Sequence, residues 1–510
     1  MTTKKTAIDF CHDIFDLDNG YSKVIVNLLL SLASNENAKS VVGLSESPLF
    51  EHHYSSISQA ISNFGATYLN NDFEKALQQL WLSYFPPQDS YLLVTDSSPL
   101  ERCFSPCLSD RQYVKVPNNV VPSNKSLSVG YNYSYLNIGF EPDVSQGGAR
   151  WSLPLSVARI GVQSDAIECA LTQLKNLMDN ADLPFKSAQT VRHITDSGYT
   201  TPRFLATLLE NYDNLVLNSR FRNGQKVWRQ VQNTNNIDKN GKNGAKKVYG
   251  DQTYYLIANS DSKTTTNGKT KTTTIKNRTA VYDLDSDQTV EFAHQTAGKK
   301  RNVITRVSVW KNMMIRTKSG NNMKDKPFTL IATQVIDAET GELVFQRPMF
   351  TGVFGKKRDQ FSIELWIKDY KHRYDIEPHN RFNKQQLFLD KFQTPDVKHL
   401  DKWTLLVACA YWLLFVAEAE VGTVVKPWER YLPIHQQQTQ VTEDKIAPKK
   451  SIAQVKKAAK ALFYTLERKP FSPKSVKNGK GRKKGTKQSK RARHKVVRKS
   501  DFNNKTRKNE

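Results

Sequence analysis

The chain has 510 residues, long enough for two to four domains, and 38% of them are hydrophobic, enough for a sizeable core. Its formal charge of +26 points to a polyanionic partner, most simply nucleic acid. Five cysteines, an odd and sparse set, exclude a disulfide framework and suit a reducing compartment.

The basic excess is uneven. From Arg468 to Glu510 there are 18 Lys or Arg against two acids, so about +16 lies in the tail and about +10 in the body. Cys103 and Cys107 form a CxxxC pair with no second Cys or His pair near it, so both read as packing cysteines rather than zinc ligands. The first ten residues are polar and then helical, with no apolar signal region.

Residues 1 to 87 read as all-helical. Ile25, Leu28, Leu29 and Leu32 recur at helical spacing, as do Phe73, Leu77, Leu80 and Trp81, and Pro86-Pro87 closes the region. Strand character begins at Ser90. Tyr91 to Asp96 reads as a strand that ends on a carboxylate, followed by strands at Ser128 to Phe140 and Trp151 to Val162. Ala166 to Met178 is an amphipathic helix. Thr190 to Thr195 is a strand that also runs into a carboxylate, Asp196. A helix from Thr201 to Tyr212 opens with Pro202, and a strand follows from Asn214 to Phe221. Three strands, helix, strand, helix, strand is the order of an RNase H-like fold, with an antiparallel meander extended by parallel strands.

Residues 223 to 355 read as a β-rich insertion. It starts with a segment rich in Asn, Lys, Thr and Gly, and strands follow at Val303 to Trp310, Phe328 to Ile336 and Leu343 to Phe354. Helix returns from Phe361 to Phe388, kinked at Pro378. Trp403 to Ala417 is almost wholly apolar, but it is short for a span and has Asp401, Glu418 and Glu420 beside it, so it reads as a buried core helix. A Pro- and Gln-rich connector covers 427–439, a short helix covers Ser451 to Leu466, and the Lys-, Gly- and Ser-rich tail after Lys469 reads as disordered when free. The expected domains are 1–87 (helical, DNA-binding), 88–222 and 356–430 (the two parts of an RNase H-like core), 223–355 (β-rich insertion), 431–468 (helical) and 469–510 (basic tail).

Three carboxylates stand out against 49 acids: Asp96 and Asp196 at strand ends, and Glu377 on the helix beyond the insertion. Hard divalent cations take oxygen ligands, and two such ions can clamp the attacking and leaving oxygens of a phosphodiester. The helix adds specificity. At about 100° per residue, Tyr370, Arg373, Glu377 and Lys384 fall within about 60° of one another, so a metal-binding acid shares its face with groups suited to phosphate. The bland reading is a charged solvent face with Tyr370 packed behind it.

The spacing Tyr370-x2-Arg373-x3-Glu377-x6-Lys384 resembles the Tyr-Arg-Glu-Lys signature of a large branch of bacterial insertion-sequence DDE transposases. RYDIEPHNRFNKQQL from Arg373, DSGY at Asp196 and VTDSSPLER from Val94 resemble the same branch. The resemblance covers residues 90 to 430. It implies Asp96, Asp196 and Glu377 as the metal-binding triad for two Mg²⁺ (or Mn²⁺) ions. Tyr370, Arg373, Lys384 and Arg220 would contact phosphates, and Trp310 or Phe350 are candidates for holding a flipped base. The implied partners are double-stranded DNA, as transposon ends and target, and a second copy of the chain, with no membrane and a bacterial cytoplasmic, nucleoid-associated location. The alternatives are a domesticated, non-catalytic DNA-binding protein and a generic RNase H-like nuclease.

Overall fold

The computed structural model describes residues 5–18, 21–69, 72–116, 126–142, 149–231, 248–258, 278–295, 301–317, 322–421, 451–466, 485–487 and 490–498. The 427–439 connector and the low-complexity run from Lys263 to Thr274 lie outside them. The fold is mixed α/β, in two compact units. The first comprises Met1–Gln88, Val94–Leu183 and Tyr374–Glu510; the second comprises Asp89–Leu93 and Pro184–Arg373.

The first unit opens with four helices, α1 (Ala7–Leu17), α2 (Ser22–Ser34), α3 (Tyr54–Asn63) and α4 (Asp72–Ser83). Thr6 and Asp9 close a capping box on α1, satisfying amides that the first turn leaves without partners. Strands β1 (Ser90–Glu101, of which Val94–Glu101 belong to this unit), β2 (Gln112–Lys115), β3 (Leu127–Phe140) and β4 (Trp151–Arg159) follow, then α5 (Ala166–Asp179). Within this sheet β3 neighbours β1 and pairs antiparallel with β2 and β4. The β3–β4 register shifts between Leu136 and Asn137, where Asn137 meets Pro154. Proline cannot donate to the ladder, so a bulge belongs there. At Gly130 a side chain would come within 2.1 Å of the Leu100 carbonyl oxygen, so only glycine lets β3 approach β1 this closely.

The apolar run at Trp403 sits in a 22-residue helix, α9 (Val397–Glu418), the core of this unit. Its length and composition would let it cross a membrane, yet 78% of its most apolar window is buried against the unit. It packs on α1, α2, α3, β4 and α10 (Ile452–Leu466). Trp412 stacks on Trp81 at 6.0 Å and donates from Nε1 to the Pro154 carbonyl at 2.7 Å. The acids beside the run are used: Asp401 accepts from Tyr133 Oη and Arg159, and Glu418 accepts from Trp151 Nε1. These partners satisfy the buried polar groups of Trp412, Tyr133 and Trp151.

The second unit is built on a mixed sheet. β5 (Thr190–Thr195) runs parallel to β6 (Leu215–Arg220) with α6 (Pro202–Asn211) between them, the expected crossover. β12 (Met349–Phe354), β11 (Phe328–Asp337) and β10 (Asn302–Met314) continue antiparallel, followed by β7 (Lys226–Arg229) and β8 (Tyr254–Tyr255), with β9 (Gln288–Gln295) also on β10. The strands read as an insertion therefore hydrogen-bond straight onto β6. α7 (Ile363–His372) covers one face: Trp366 packs with Val216, Val307, Val309, Ile331 and Val353. Its carbonyl accepts from Asn218, and Asp369 pairs with Arg192 of β5 at 2.5 Å.

Burial pushes the Asp369 carboxyl up to about 6 from 3.8, against the pull of Arg192 and His372. The folded protein thus holds this proton longer than the unfolded chain does. The stability it contributes is full below the unfolded value and lost as pH rises through about 6. Asp369→Asn has no such loss. Its melting temperature is therefore expected to gain on that of the parent between about pH 4 and about pH 7 in parallel thermal melts. A difference that stays constant with pH would show that the buried pair does not titrate in this way.

Candidate active site

Asp96 lies within β1, half-buried, and does not end the strand, which continues to Glu101. Its Oδ1 accepts from the Ser97 amide at 2.7 Å. Two cations fix the strand beyond it. Lys384 Nζ donates to Ser98 Oγ at 2.8 Å and to the Pro99 carbonyl at 2.6 Å. Arg102, 5% exposed, donates to the carbonyls of Asp390 at 3.1 Å and Leu389 at 3.4 Å. Burial lowers the Lys384 ammonium from its ordinary value, and nearby Asp390 and Glu101 pull it back.

Glu377 is the second residue of α8 (Ile376–Gln386) and is exposed. The face turned inward is Ile376, His379, Asn380, Phe382 and Asn383. His379 is fully buried, contacts Asn137 of β3 and Asn383, and its pKa is pushed down to about 3, so the ring is neutral. That packing leaves Glu377 on the outer side, in a helix's first turn where an acid is favoured.

Tyr370, Arg373, Glu377 and Lys384 do not share one continuous helix. α7 ends at His372, a 3-10 turn spans Arg373–Asp375, and α8 begins at Ile376. The irregularity falls before Pro378 rather than at it. Pro378 occupies the first turn of α8, where no amide is required, and its ring and missing donor forbid a regular turn back to Tyr374. Tyr370 is 2% and Arg373 8% exposed, both buried in the second unit, while Glu377 and Lys384 belong to the first.

In the second unit, Asp196 directly follows β5, half-buried, in a turn closed by the Tyr199 amide on its carbonyl at 3.0 Å. The last registered pair of β5 and β6 is Thr195 with Ser219, whose hydroxyls bond at 2.7 Å. One more step brings Asp196 abreast of Arg220, whose carbonyl accepts from Thr200 Oγ1. These two predicted residues therefore share one end of a parallel strand pair.

Other expectations shift. Trp310 and Phe350 are core residues at 1% and 2% exposure; Trp310 Nε1 donates to the Leu284 carbonyl, and both rings lie against Tyr282. Cys103 is exposed and Cys107 half-buried, so the former is not a packing cysteine. Sequence reading gave no role to Arg102 or Arg111. The available signal was the place of Arg102 at the end of VTDSSPLER, with Arg111 nine residues on. Three carboxylates suit a hard cation in kind, yet among the described residues no group of three or more His, Cys, Asp or Glu is arranged to hold a metal ion.

Residues 18–283 match the family described as DDE superfamily endonuclease. The chain belongs to that family. The matched region contains Asp96 and Asp196 and ends before Glu377. No curated protein matches this DDE endonuclease. Among solved structures, the cryo-EM structure of a piggyBac transposase synaptic complex with hairpin DNA is similar over 88% of this chain and 70% of its own, at 10% identity and a TM-score of 0.33, too low to carry a conclusion.

Lys384→Met keeps the aliphatic stem but strips two hydrogen bonds from β1. It is expected to lower the stability of the DDE endonuclease by about 1–3 kcal/mol, read as a lower urea midpoint. An unchanged midpoint would show that the lysine does not hold the Asp96 strand.

Proposed function

We propose that this DDE endonuclease is a transposase of the bacterial insertion-sequence type, cleaving the ends of a DNA element and joining them to target DNA. The observation that carries the reading is the family match, which takes in Asp96 and Asp196. The reading comprises an RNase H-like core interrupted by a β-rich insertion, a helical N-terminal domain, a basic tail, a homodimer holding two ends, and a cytoplasmic location. Asp96, Asp196 and Glu377 are its catalytic acids. Mg²⁺ or Mn²⁺, two ions, belongs to it on donor chemistry alone.

The roles of the chain's own residues follow from charge. Arg220, at the strand end abreast of Asp196, and Lys384, beside the Asp96 strand, are the cations suited to DNA phosphates. Tyr370 and Arg373 share that role in the proposal. Being buried, they are expected to cost stability as well as binding when replaced.

DNA spanning the boundaries of the element that carries the gene is expected to be nicked with Mg²⁺ or Mn²⁺ and left intact in excess EDTA. Asp96→Ala, Asp196→Ala and Glu377→Ala should each abolish nicking while gel-shift binding persists. Arg220→Ala should weaken binding by about 1–3 kcal/mol. Cleavage that survives EDTA, or Glu377→Ala cutting at the parent rate, would falsify this assignment. Binding with no cleavage under any condition would favour a non-catalytic DNA-binding protein.

A further inference from the structure

The loop between β1 and β2 is ordered from within by Arg111, 5% exposed. Its guanidinium donates to the carbonyls of Leu108 at 3.3 Å, Arg102 at 3.1 Å and Cys103 at 3.4 Å. Tyr131 Oη donates to the Ser109 carbonyl from below. One arm of Arg111 is left over, and it reaches the tail: Nη2 donates to the His494 carbonyl at 3.0 Å. The tail answers with two amides. His494 N donates to the Pro106 carbonyl and Val497 N to the Arg111 carbonyl, both at 2.8 Å. The Arg498 guanidinium lies over the Tyr113 ring at 5.5 Å. A segment that composition marks as disordered is thus held by three backbone atoms, at His494 and Val497, and by one ring contact.

Apart from Arg498 over Tyr113, the attachment uses backbone atoms and leaves the charged side chains outward. Val496 and Val497 are half-buried, whereas Lys490, Arg491, Arg493, Lys495 and Arg498 are exposed. Among the described residues, no carboxylate pairs with Lys490, Arg491, Arg493 or Lys495 within 4.0 Å. Arg491, Arg493 and Lys495 are spaced by two, which in an extended chain sets side chains on one face.

We propose that residues 490–498 are a fixed rail for the sugar–phosphate backbone of DNA, seated on the loop that follows the Asp96 strand. This rests on the reading of the chain as a DNA enzyme and goes beyond it by giving part of the tail a place. A loose polycation binds phosphates wherever it meets them, and the entropy lost on ordering its backbone opposes binding. A docked segment has that order before DNA arrives, so each cation acts at one position and binds more strongly.

The test uses the full chain. His494→Pro with Val497→Pro removes both tail amide donors and keeps every Lys and Arg. Hydrogen exchange should show the 494 and 497 amides protected in the parent; unprotected amides there overturn the docking itself. On a DNA duplex, the double-proline variant should bind about tenfold more weakly at matched salt, with an unchanged melting temperature. Arg491→Ala, Arg493→Ala and Lys495→Ala together should cost more than tenfold in the parent and about twofold or less in the double-proline background, because the contacts are coupled to docking. Parent-like affinity in the double-proline variant, with equal triple-alanine losses in both backgrounds, overturns the rail while DNA binding stands. A parent protein that binds no DNA overturns both.

Discussion

A buried cation draws acceptors to its donors, and in the first unit that demand shapes the environment of Asp96. Lys384 and Arg102 find their acceptors in backbone carbonyls and one hydroxyl: Pro99 and Ser98 for the lysine, Leu389 and Asp390 for the arginine. Carbonyl oxygens cannot move without their chain, so α8, the 387–392 turn and the far half of β1 become one body. An unmet buried charge would cost several kcal/mol, far more than the net worth of each bond, and this asymmetry makes the arrangement specific. Arg111 repeats the device on the next loop and extends it to the tail.

The same device changes what the charge of +26 means. Arg102, Arg111 and Arg373 are at or below 8% exposure, and Lys384 is half-buried with two donors engaged. Part of the basic excess is therefore structural. The cations open to solvent are the exposed ones, and among them Lys490, Arg491, Arg493, Lys495 and Arg498 lie on the segment that docks through His494 and Val497.

Legibility in the sequence followed the strength of local pattern. The strand Thr190 to Thr195 was read to the residue, because β-branched positions stop at the Asp-Ser-Gly turn. The pair β10 and β11 followed from β-branched and alternating apolar positions, and the helix α9 from a long apolar run. β1 was cut short at Asp96 because Asp-Ser-Ser-Pro reads as a turn; it stays extended because Lys384, sequence-distant, bonds Ser98 and Pro99. β2 and β9 were missed: β9 is mostly exposed and polar and takes its strand form from pairing with β10. Of the candidate site, strand ends and the resemblance proposed the acids and the resemblance proposed Tyr370, Arg373, Lys384 and Arg220, but a helical wheel cannot show burial. Tyr370 is buried on α7 and Arg373 in the 3-10 turn that it opens, and that turn takes Glu377 and Lys384 off the wheel.

The two aspartates differ in a way that bears on their chemistry. Asp196 sits past the last pair of a parallel ladder, where the backbone is free to turn, and Arg220 stands abreast of it. Asp96 sits inside a strand that continues for five residues, so its direction is set by the pleat and by whatever holds Ser98 and Pro99. Lys384 has three donors, and two are engaged with that strand. A phosphate drawing on the third would pull on the same ammonium that steadies the Asp96 strand. Any phosphate bound there would thus be coupled to the position of the carboxylate through one side chain. Arginine could not replace it simply, because a planar fork cannot point donors at Ser98, Pro99 and a phosphate in three directions.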